Sequence, residues 1–179
     1  MTFDLALIDP PWPETGGGKS KRGADRHYPV IDVRDMARVV LSASAWKPAV
    51  RFWLGIWTTK TSLPDALDLM KACGARYVTA WTWIKQSSAG QIAMGLGHYG
   101  RHGVEYILWG RRGSVGRRET AKGVSADFST LRGEHSAKPA LAYDNAVLTF
   151  QHEHTPLEMF ARAPRAGWNV WGNEVPNVI

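Results

Sequence analysis

The sequence has one cysteine, Cys73, so no disulfide can close within the chain. That excludes the stapled scaffold of small secreted domains. Cys73 falls in an apolar helical pattern and reads as an inert core thiol in a reducing compartment. No apolar stretch approaches the ~18 residues of a spanning helix, and no basic segment followed by an apolar run opens the chain. The expectation is a cytoplasmic protein with no membrane contact. No zinc-finger spacing is present. His152-Glu153-His154 lacks a third ligand and a nearby Cys, so it reads as a polar connection and no metal is expected.

What is present is a basic, Trp-rich chain. It has 179 residues, is 44% hydrophobic, and carries 22 Lys and Arg against 16 Asp and Glu, a net charge of +6. The length suits a single domain over residues 1–179 with a sizeable core. The charge makes nucleic acid the leading anionic partner. Nine Trp supply core, and aromatic faces can also stack on bases.

The chain is organised around Asp9-Pro10-Pro11-Trp12, which ends the apolar run Phe3 to Ile8. That run reads as a buried strand. Asp9 precedes a proline and continues the strand to its tip. The two prolines have fixed φ and no N–H, so the turn offers carbonyl acceptors and a carboxylate. Acceptors beside a flat indole suit a planar ring bearing an exocyclic amine: Asp9 and a proline carbonyl each take one N–H. The alternative is a rigid strand-to-loop corner with a packed Trp.

Pro13 to Ile31 is Gly-, Lys- and Arg-rich and reads as a mobile loop over Asp9. Its Gly16-Gly17-Gly18-Lys19-Ser20 lacks the first glycine of a phosphate loop, a position held by Pro13. Asp32 can cap a helix with Val33, Met36, Ala37, Val40 and Leu41 on one face. Val50 to Trp57 is the next strand. Ser62 caps a second helix carrying Leu63, Ala66, Leu67 and Met70 and ending at Gly74. Tyr77 to Lys85 is a third strand, with Trp81 and Trp83 on one face by period 2. Strand and helix alternate as in a parallel, doubly wound α/β sheet, where ligands sit at the carboxyl ends of strands.

Gln86 to Gly103 is a polar loop. Its Gly95-Leu96-Gly97-His98-Tyr99-Gly100 neither follows a strand directly nor opens a helix, so it is not read as a dinucleotide motif. Glu105 to Gly110 is a strand. Arg111 to Lys122 holds five basic residues against Glu119 and reads as a phosphate-binding loop. Pro139 fits the first turn of a helix with Ala140, Tyr143, Val147 and Leu148 on one side. His135, Ser136 and Lys138 then gather at a helix N-terminus, where an anionic group is well placed. Pro156 to Ala163 and Trp168 to Gly172 read as the last strands.

These pieces resemble the catalytic-subunit family of the eukaryotic mRNA adenosine methyltransferase, which has bacterial and phage members acting on DNA. The resemblance runs over nearly the whole chain. It rests on Asp9-Pro10-Pro11-Trp12, Tyr28-Pro29, Phe52-Trp53-Leu54, Trp83-Ile84-Lys85, Gly97-His98-Tyr99 through Gly103-Val104-Glu105-Tyr106 to Gly110-Arg111-Arg112-Gly113, His135-Ser136-Ala137-Lys138-Pro139, Glu158-Met159-Phe160-Ala161-Arg162 and Trp171-Gly172-Asn173-Glu174. Each motif is weak alone; together and in order they are specific.

The resemblance implies a Rossmann-like, doubly wound, mostly parallel sheet of the S-adenosylmethionine-dependent methyltransferase type, with the motif order permuted. It implies S-adenosylmethionine as methyl donor and the adenine N6 amine as acceptor, methylated by direct in-line transfer. Asp9, Pro10, Pro11 and Trp12 form the catalytic turn, with Trp12 stacked beside the base. Asp9, His135, Ser136 and Lys138 border the cofactor, and Lys138 pairs with its carboxylate. Phe160 and Arg162 line its adenosine site, and Asn173 and Glu174 bind its ribose hydroxyls. Ala163 to Gly167 lacks the His/Asn pair of the mRNA enzyme. The two loops that can reach nucleic acid supply Lys19, Arg22 and Tyr28 from one side. They supply His98, Tyr99, Arg101, Arg111 and Arg112 from the other. DNA is favoured over RNA, by resemblance to compact stand-alone members. An RNA substrate, a catalytically inactive nucleic-acid-binding subunit and a protein or small-molecule amine stay open as alternatives. So does the choice between homodimer and paired subunit.

Overall fold

The computed structural model describes residues 2–13, 33–95, 99–118, 121–133 and 137–175. The expected Asp32 cap, the Val33 side chain, and the candidates Lys19, Arg22, Tyr28, His98, His135 and Ser136 lie outside the described residues. In chain order the elements are β1 (Phe3–Ile8), α1 (Val33–Ser42), β2 (Pro48–Thr58), α2 (Leu63–Ala72), β3 (Arg76–Gln86), β4 (Val104–Arg112), β5 (Asp127–Leu131), α3 (Ala140–Phe150), β6 (Leu157–Met159) and β7 (Asn169–Trp171).

The strands form one seven-stranded sheet in the order β5-β3-β4-β2-β1-β6-β7. β1 pairs parallel with β2 and β6, β6 with β7, and β3 with β5. The departure from a parallel winding is β4, which lies antiparallel between β2 and β3. The α2 crossover therefore skips one strand position, and β4 later fills the gap. Sequence alternation does not report this, because a strand reads the same in either direction.

Period 2 along the strands divides the core into two layers. Ala6 and Ile8, joined by Phe3 through a register shift between Phe3 and Leu5, face α1 and α2 with Phe52, Leu54, Ile56, Met36, Val40, Ala66, Leu69 and Met70. Leu5 and Leu7 face α3 with Trp53, Trp57, Trp81, Trp83, Ile107, Trp109, Ala142, Tyr143, Ala146 and Phe150. Helices thus cover both faces. Most of the tryptophan surplus is core: the Phe150 ring sits 4.4 Å from Trp53 and 4.4 Å from Trp109 between centroids. Such pairs add roughly 0.5–1.5 kcal/mol each beyond area burial.

Several helix faces differ from the expected ones. α2 buries Ala66, Leu69 and Met70 and leaves Leu67 exposed. Ser62 is buried and makes no side-chain cap; Pro64 in the first turn fixes the start instead. α3 begins after Pro139, which is its N-cap, so its buried side is Ala142, Tyr143, Ala146 and Phe150, while Ala140 and Leu148 are exposed. Small alanines let α3 lie close to the Trp-rich face. Cys73 is buried, and burial pushes its thiol up to about 12. β5, absent from the sequence reading, buries Phe128 alone. The His152-Glu153-His154 connection donates its Glu153 and His154 backbone N–H groups to the buried Asp4 carboxylate, the latter at 3.0 Å. No helix among the described residues is long and apolar enough to cross a membrane.

Candidate active site

Ile8 pairs with Ile56 on one side and Met159 on the other, and Met159 pairs with Trp171. The residues that follow, Asp9, Trp57, Phe160 and Gly172, therefore share the carboxyl edge. Asp9 is anchored there by its own N–H, which donates to the Met159 carbonyl at 3.3 Å. Because β4 runs the other way, its first residues rather than its last reach this edge. Glu105 sits opposite Trp83, two residues before Lys85. By period 2, Asp9, Trp57, Glu105 and Lys85 continue the rows of Leu7, Trp53, Ile107 and Trp83, so all four point to the α3 side. Lys138 enters the same space from just before α3.

The result is a line of alternating charge. Lys138 Nζ lies 2.9 Å from Asp9 Oδ2 and 3.5 Å from Glu105 Oε2, and Lys85 Nζ bonds Glu105 Oε1. Side-chain exposure is 10% for Lys138, 21% for Asp9 and 15% for Glu105. Lys138 Nζ also stands 5.4 Å from the centroid of the Trp57 ring, and Lys85 Nζ 5.0 Å from that of Trp83. Burial raises the Asp9 pKa; Lys138 opposes this, and the Glu105 charge adds to it. Burial acts upward on Glu105 too, but Lys138 and Lys85 outweigh it and hold the carboxyl below its usual value. Burial acts downward on Lys138, yet Asp9 and Glu105 reverse it and keep the ammonium charged.

The turn itself is rigid. The Trp12 N–H donates to the Pro10 carbonyl at 2.8 Å, and the Trp12 indole N–H donates to the Trp57 carbonyl at 2.7 Å. The Pro10 oxygen keeps a second lone pair for a ligand. Trp12 is only 8% exposed and packs with Met36, Val40 and Ile56 in the core. The expected stacking of Trp12 on a base is therefore corrected: the ring is held by packing and by its N–H, and it fixes the turn.

On the same sheet edge as Asp9, Phe160 and Arg162 follow β6, and Asn173 and Glu174 follow β7, one strand further out. Phe160 is half-buried, stands edge-on to Trp171 at 5.6 Å, and has φ of 61°. A bulky residue there carries roughly 1–2 kcal/mol of backbone cost, the kind of strain that collects at ligand sites. Arg162 is close enough to lower the Asp9 pKa. Asn173 and Glu174 are exposed.

Beneath this edge, Tyr143 O–H donates to Glu158 Oε1 at 2.7 Å and Arg165 Nε donates to Glu158 Oε2 at 2.8 Å. The Arg165 guanidinium lies 3.4 Å from the Tyr143 ring centroid. Burial raises the Tyr143 pKa, and the Glu158 and Asp9 charges add to it. The tyrosine is thus a fixed neutral donor.

Other candidates fall elsewhere. Tyr99 is fully exposed on the loop between β3 and β4, at the Asp9 edge. Arg101 donates to the carbonyls of Gly95 at 3.2 Å and Met94 at 3.3 Å, so it shapes that loop. The expected place of Arg111 and Arg112, beside the loop that carries Tyr99, is corrected. They close antiparallel β4 and lie six or seven residues from Glu105, about 20 Å from the Asp9 edge. Arg111 donates to the Val115 carbonyl at 2.6 Å, and Arg112 to those of Ala49 at 2.7 Å and Val50 at 3.2 Å. Neither can touch a base held at Asp9. Conversely, Lys85 and Glu105 belong to the site although sequence reasoning gave them no role. The available signal was their place in two of the quoted motifs, Trp83-Ile84-Lys85 and Gly103-Val104-Glu105-Tyr106.

The chain can be set beside known proteins. The MT-A70 family model matches residues 3–174. The chain is 33% identical over 183 residues to the N6-methyladenosine RNA methyltransferase MTA1 of Cryphonectria parasitica, covering 97% of this chain and 52% of that protein. It is 24% identical to the type II methyltransferase M.MunI of Mycoplasma sp, covering 98% of this chain and 78% of that protein. It is 26% identical to the human N(6)-adenine-specific methyltransferase METTL4, covering 97% of this chain and 38% of that protein. It thus spans about half the length of the fungal relative. With nearly every described residue inside the matched region, the chain belongs to the MT-A70 family.

Proposed function

We propose that this protein is an S-adenosylmethionine-dependent N6-adenine methyltransferase acting on nucleic acid, with DNA as substrate. The observation that carries the reading is Asp9 itself. It is a largely buried carboxylate at a strand tip, raised in pKa, beside a proline carbonyl and in the position the family motif requires. The DNA assignment is supported by the bacterial type II methyltransferase, 78% of whose length this chain spans. The 33% identity to an RNA methyltransferase supports RNA as the second reading.

The residues at the edge fit the donor. Phe160 offers a half-exposed ring for an adenine, Asn173 and Glu174 offer acceptors for vicinal hydroxyls, and Lys138 offers a cation for a carboxylate. When bound, S-adenosylmethionine supplies an electrophilic methyl group on a sulfonium. Asp9 and the Pro10 carbonyl accept the two N–H groups of the adenine amine, which draws the nitrogen lone pair out of the ring and aims it. The proton the amine loses on methylation passes to the Asp9 carboxylate, which burial has made a better base. Lys138 holds that carboxylate in one orientation. Most of the rate gain is orientation and electrostatics, with no covalent enzyme intermediate. A target within a duplex must first be flipped out, at a cost of a few kcal/mol.

The test is transfer of labelled methyl to matched single- and double-stranded DNA and RNA, followed by nucleoside analysis. Label in N6-methyladenine of DNA is expected. Label in RNA alone selects the second reading. No label with S-adenosylmethionine bound overturns the methyltransferase assignment for this chain alone.

A further inference from the structure

The sheet edge opposite Asp9 is basic, and the register shows how. Arg76 on β3 pairs directly with Arg111 on β4, and Arg111 pairs with Trp53 on β2. Direct cross-strand partners share a face, so all three point to the α3 side. Arg51, two residues before Trp53, continues that row. A Cβ added at Gly113 would meet the Arg51 side chain at 2.8 Å, which sets Arg51 over the end of β4. The following loop folds onto the same side, since the Trp53 indole N–H donates to the Gly116 carbonyl at 3.1 Å, and it carries exposed Arg117.

Part of this charge has a structural explanation. Arg111 is held by the Val115 carbonyl. Lys71 lies in the last turn of α2, where a cation complements the helix dipole. Arg51, Arg76 and Arg117 are exposed, and no carboxylate among the described residues pairs with them. Two like charges directly opposite on neighbouring strands destabilise a sheet. The Arg76–Arg111 pair carries that cost unless an anion lies across it. Arginines on adjacent strands, whose backbones run about 4.8 Å apart, suit the closely spaced charges of a phosphate backbone.

We propose that Arg51, Arg76, Arg111 and Arg117 form a second nucleic-acid contact, gripping backbone phosphates about 20 Å from Asp9, outside the segment that enters the active site. The inference rests on nucleic acid being the substrate. The contact is sequence-independent and acts on polymer affinity, not on the chemical step. It tethers a long substrate while a distant adenine is presented at Asp9.

The test replaces the three exposed arginines, Arg51→Gln, Arg76→Gln and Arg117→Gln, in the whole chain; Arg117→Gln alone, in the loop, guards against sheet damage. Binding of labelled DNA and RNA of about 60 and about 6 nucleotides is measured against salt, with methyl transfer to the short oligonucleotide alongside. The triple variant is expected to lose about tenfold or more in affinity for the long polymer, with a salt slope shallower by about 2–3. Arg117→Gln should give about a third of that slope change. Turnover of the short oligonucleotide stays as in wild type. Unchanged long-polymer affinity in both variants overturns the proposal. So does an equal loss of affinity for polyglutamate, which would make the face an acidic-protein site. Failure of methyl transfer in wild type with the tenfold binding loss intact counts against the activity and leaves the second contact standing.

Discussion

Lys138 Nζ lies 2.9 Å from Asp9 Oδ2 across 129 residues of chain, and the same ammonium stands 3.5 Å from Glu105. One cation thus separates two largely buried carboxylates. Lys138→Met leaves them facing each other with only Lys85 in reach of Glu105. Breaking a fully buried pair costs about 3–5 kcal/mol; with the residual exposure here, a loss of about 2–3 kcal/mol is expected in urea unfolding. Glu105→Gln added to Lys138→Met removes the repulsion and should restore part of the loss. A double variant less stable than Lys138→Met would refute the arrangement.

Asp9→Ala removes the acceptor and leaves Lys138 paired with Glu105, so the fold survives. Methyl transfer is expected to fall by about 10²–10⁴-fold, the range for a positioned base, while S-adenosylmethionine still binds. Residual activity within about tenfold of wild type would remove Asp9 from the chemistry.

The pH dependence follows from the shifts. Asp9 must be ionised to accept the amine, and its pKa is raised above 3.8 by burial. Activity should therefore rise with pH through a value above that of an ordinary aspartate. For stability the two carboxylates act oppositely. A raised acid stabilises the fold below its unfolded pKa and loses that contribution as pH climbs through the folded value, so ionised Asp9 is a cost at neutral pH. Glu105, lowered from 4.5, stabilises above its unfolded pKa and loses this as pH falls through the folded value. Thermal unfolding against pH should show Glu105→Gln losing stability at neutral pH and less on acidification. Equal losses at both ends would contradict the lowered Glu105.

Local cues in the sequence reached only part of this site. Asp9 and Lys138 were legible because a strand tip and a helix start announce themselves through prolines and apolar runs. Glu105 and Lys85 were not, because their meeting depends on β4 running antiparallel between β2 and β3, and strand direction leaves no mark on alternation. The same reversal sends Arg111 and Arg112 to the far edge. β5 escaped notice because Asp127-Phe128-Ser129-Thr130-Leu131 buries only Phe128. Trp12 takes the packed of the two places open to it, because a sequence cannot tell a stacking face from a packed one. Its indole N–H is spent on the Trp57 carbonyl, 45 residues away.

Gly172 links packing to cofactor placement. It follows β7, where the Ala161 N–H donates to the Trp171 carbonyl at 3.0 Å and ties the ends of β6 and β7 together. A Cβ at Gly172 would lie 2.2 Å from the Ala161 carbonyl oxygen and 2.8 Å from its nitrogen. Backbone cannot rotate aside as a side chain can, so Gly172→Ala must part the two strand ends. Overpacking of this kind costs about 1–3 kcal/mol. The next two residues, Asn173 and Glu174, are carried along and lose their place. A hydrogen bond to a charged group contributes about 1.5–3 kcal/mol, so affinity for S-adenosylmethionine should fall by about tenfold or more in calorimetry. Gly116→Ala, where an added Cβ meets nothing within 4 Å, is the control and should change stability by less than about 0.5 kcal/mol. If Gly172→Ala binds the cofactor as wild type does, Asn173 and Glu174 do not hold it.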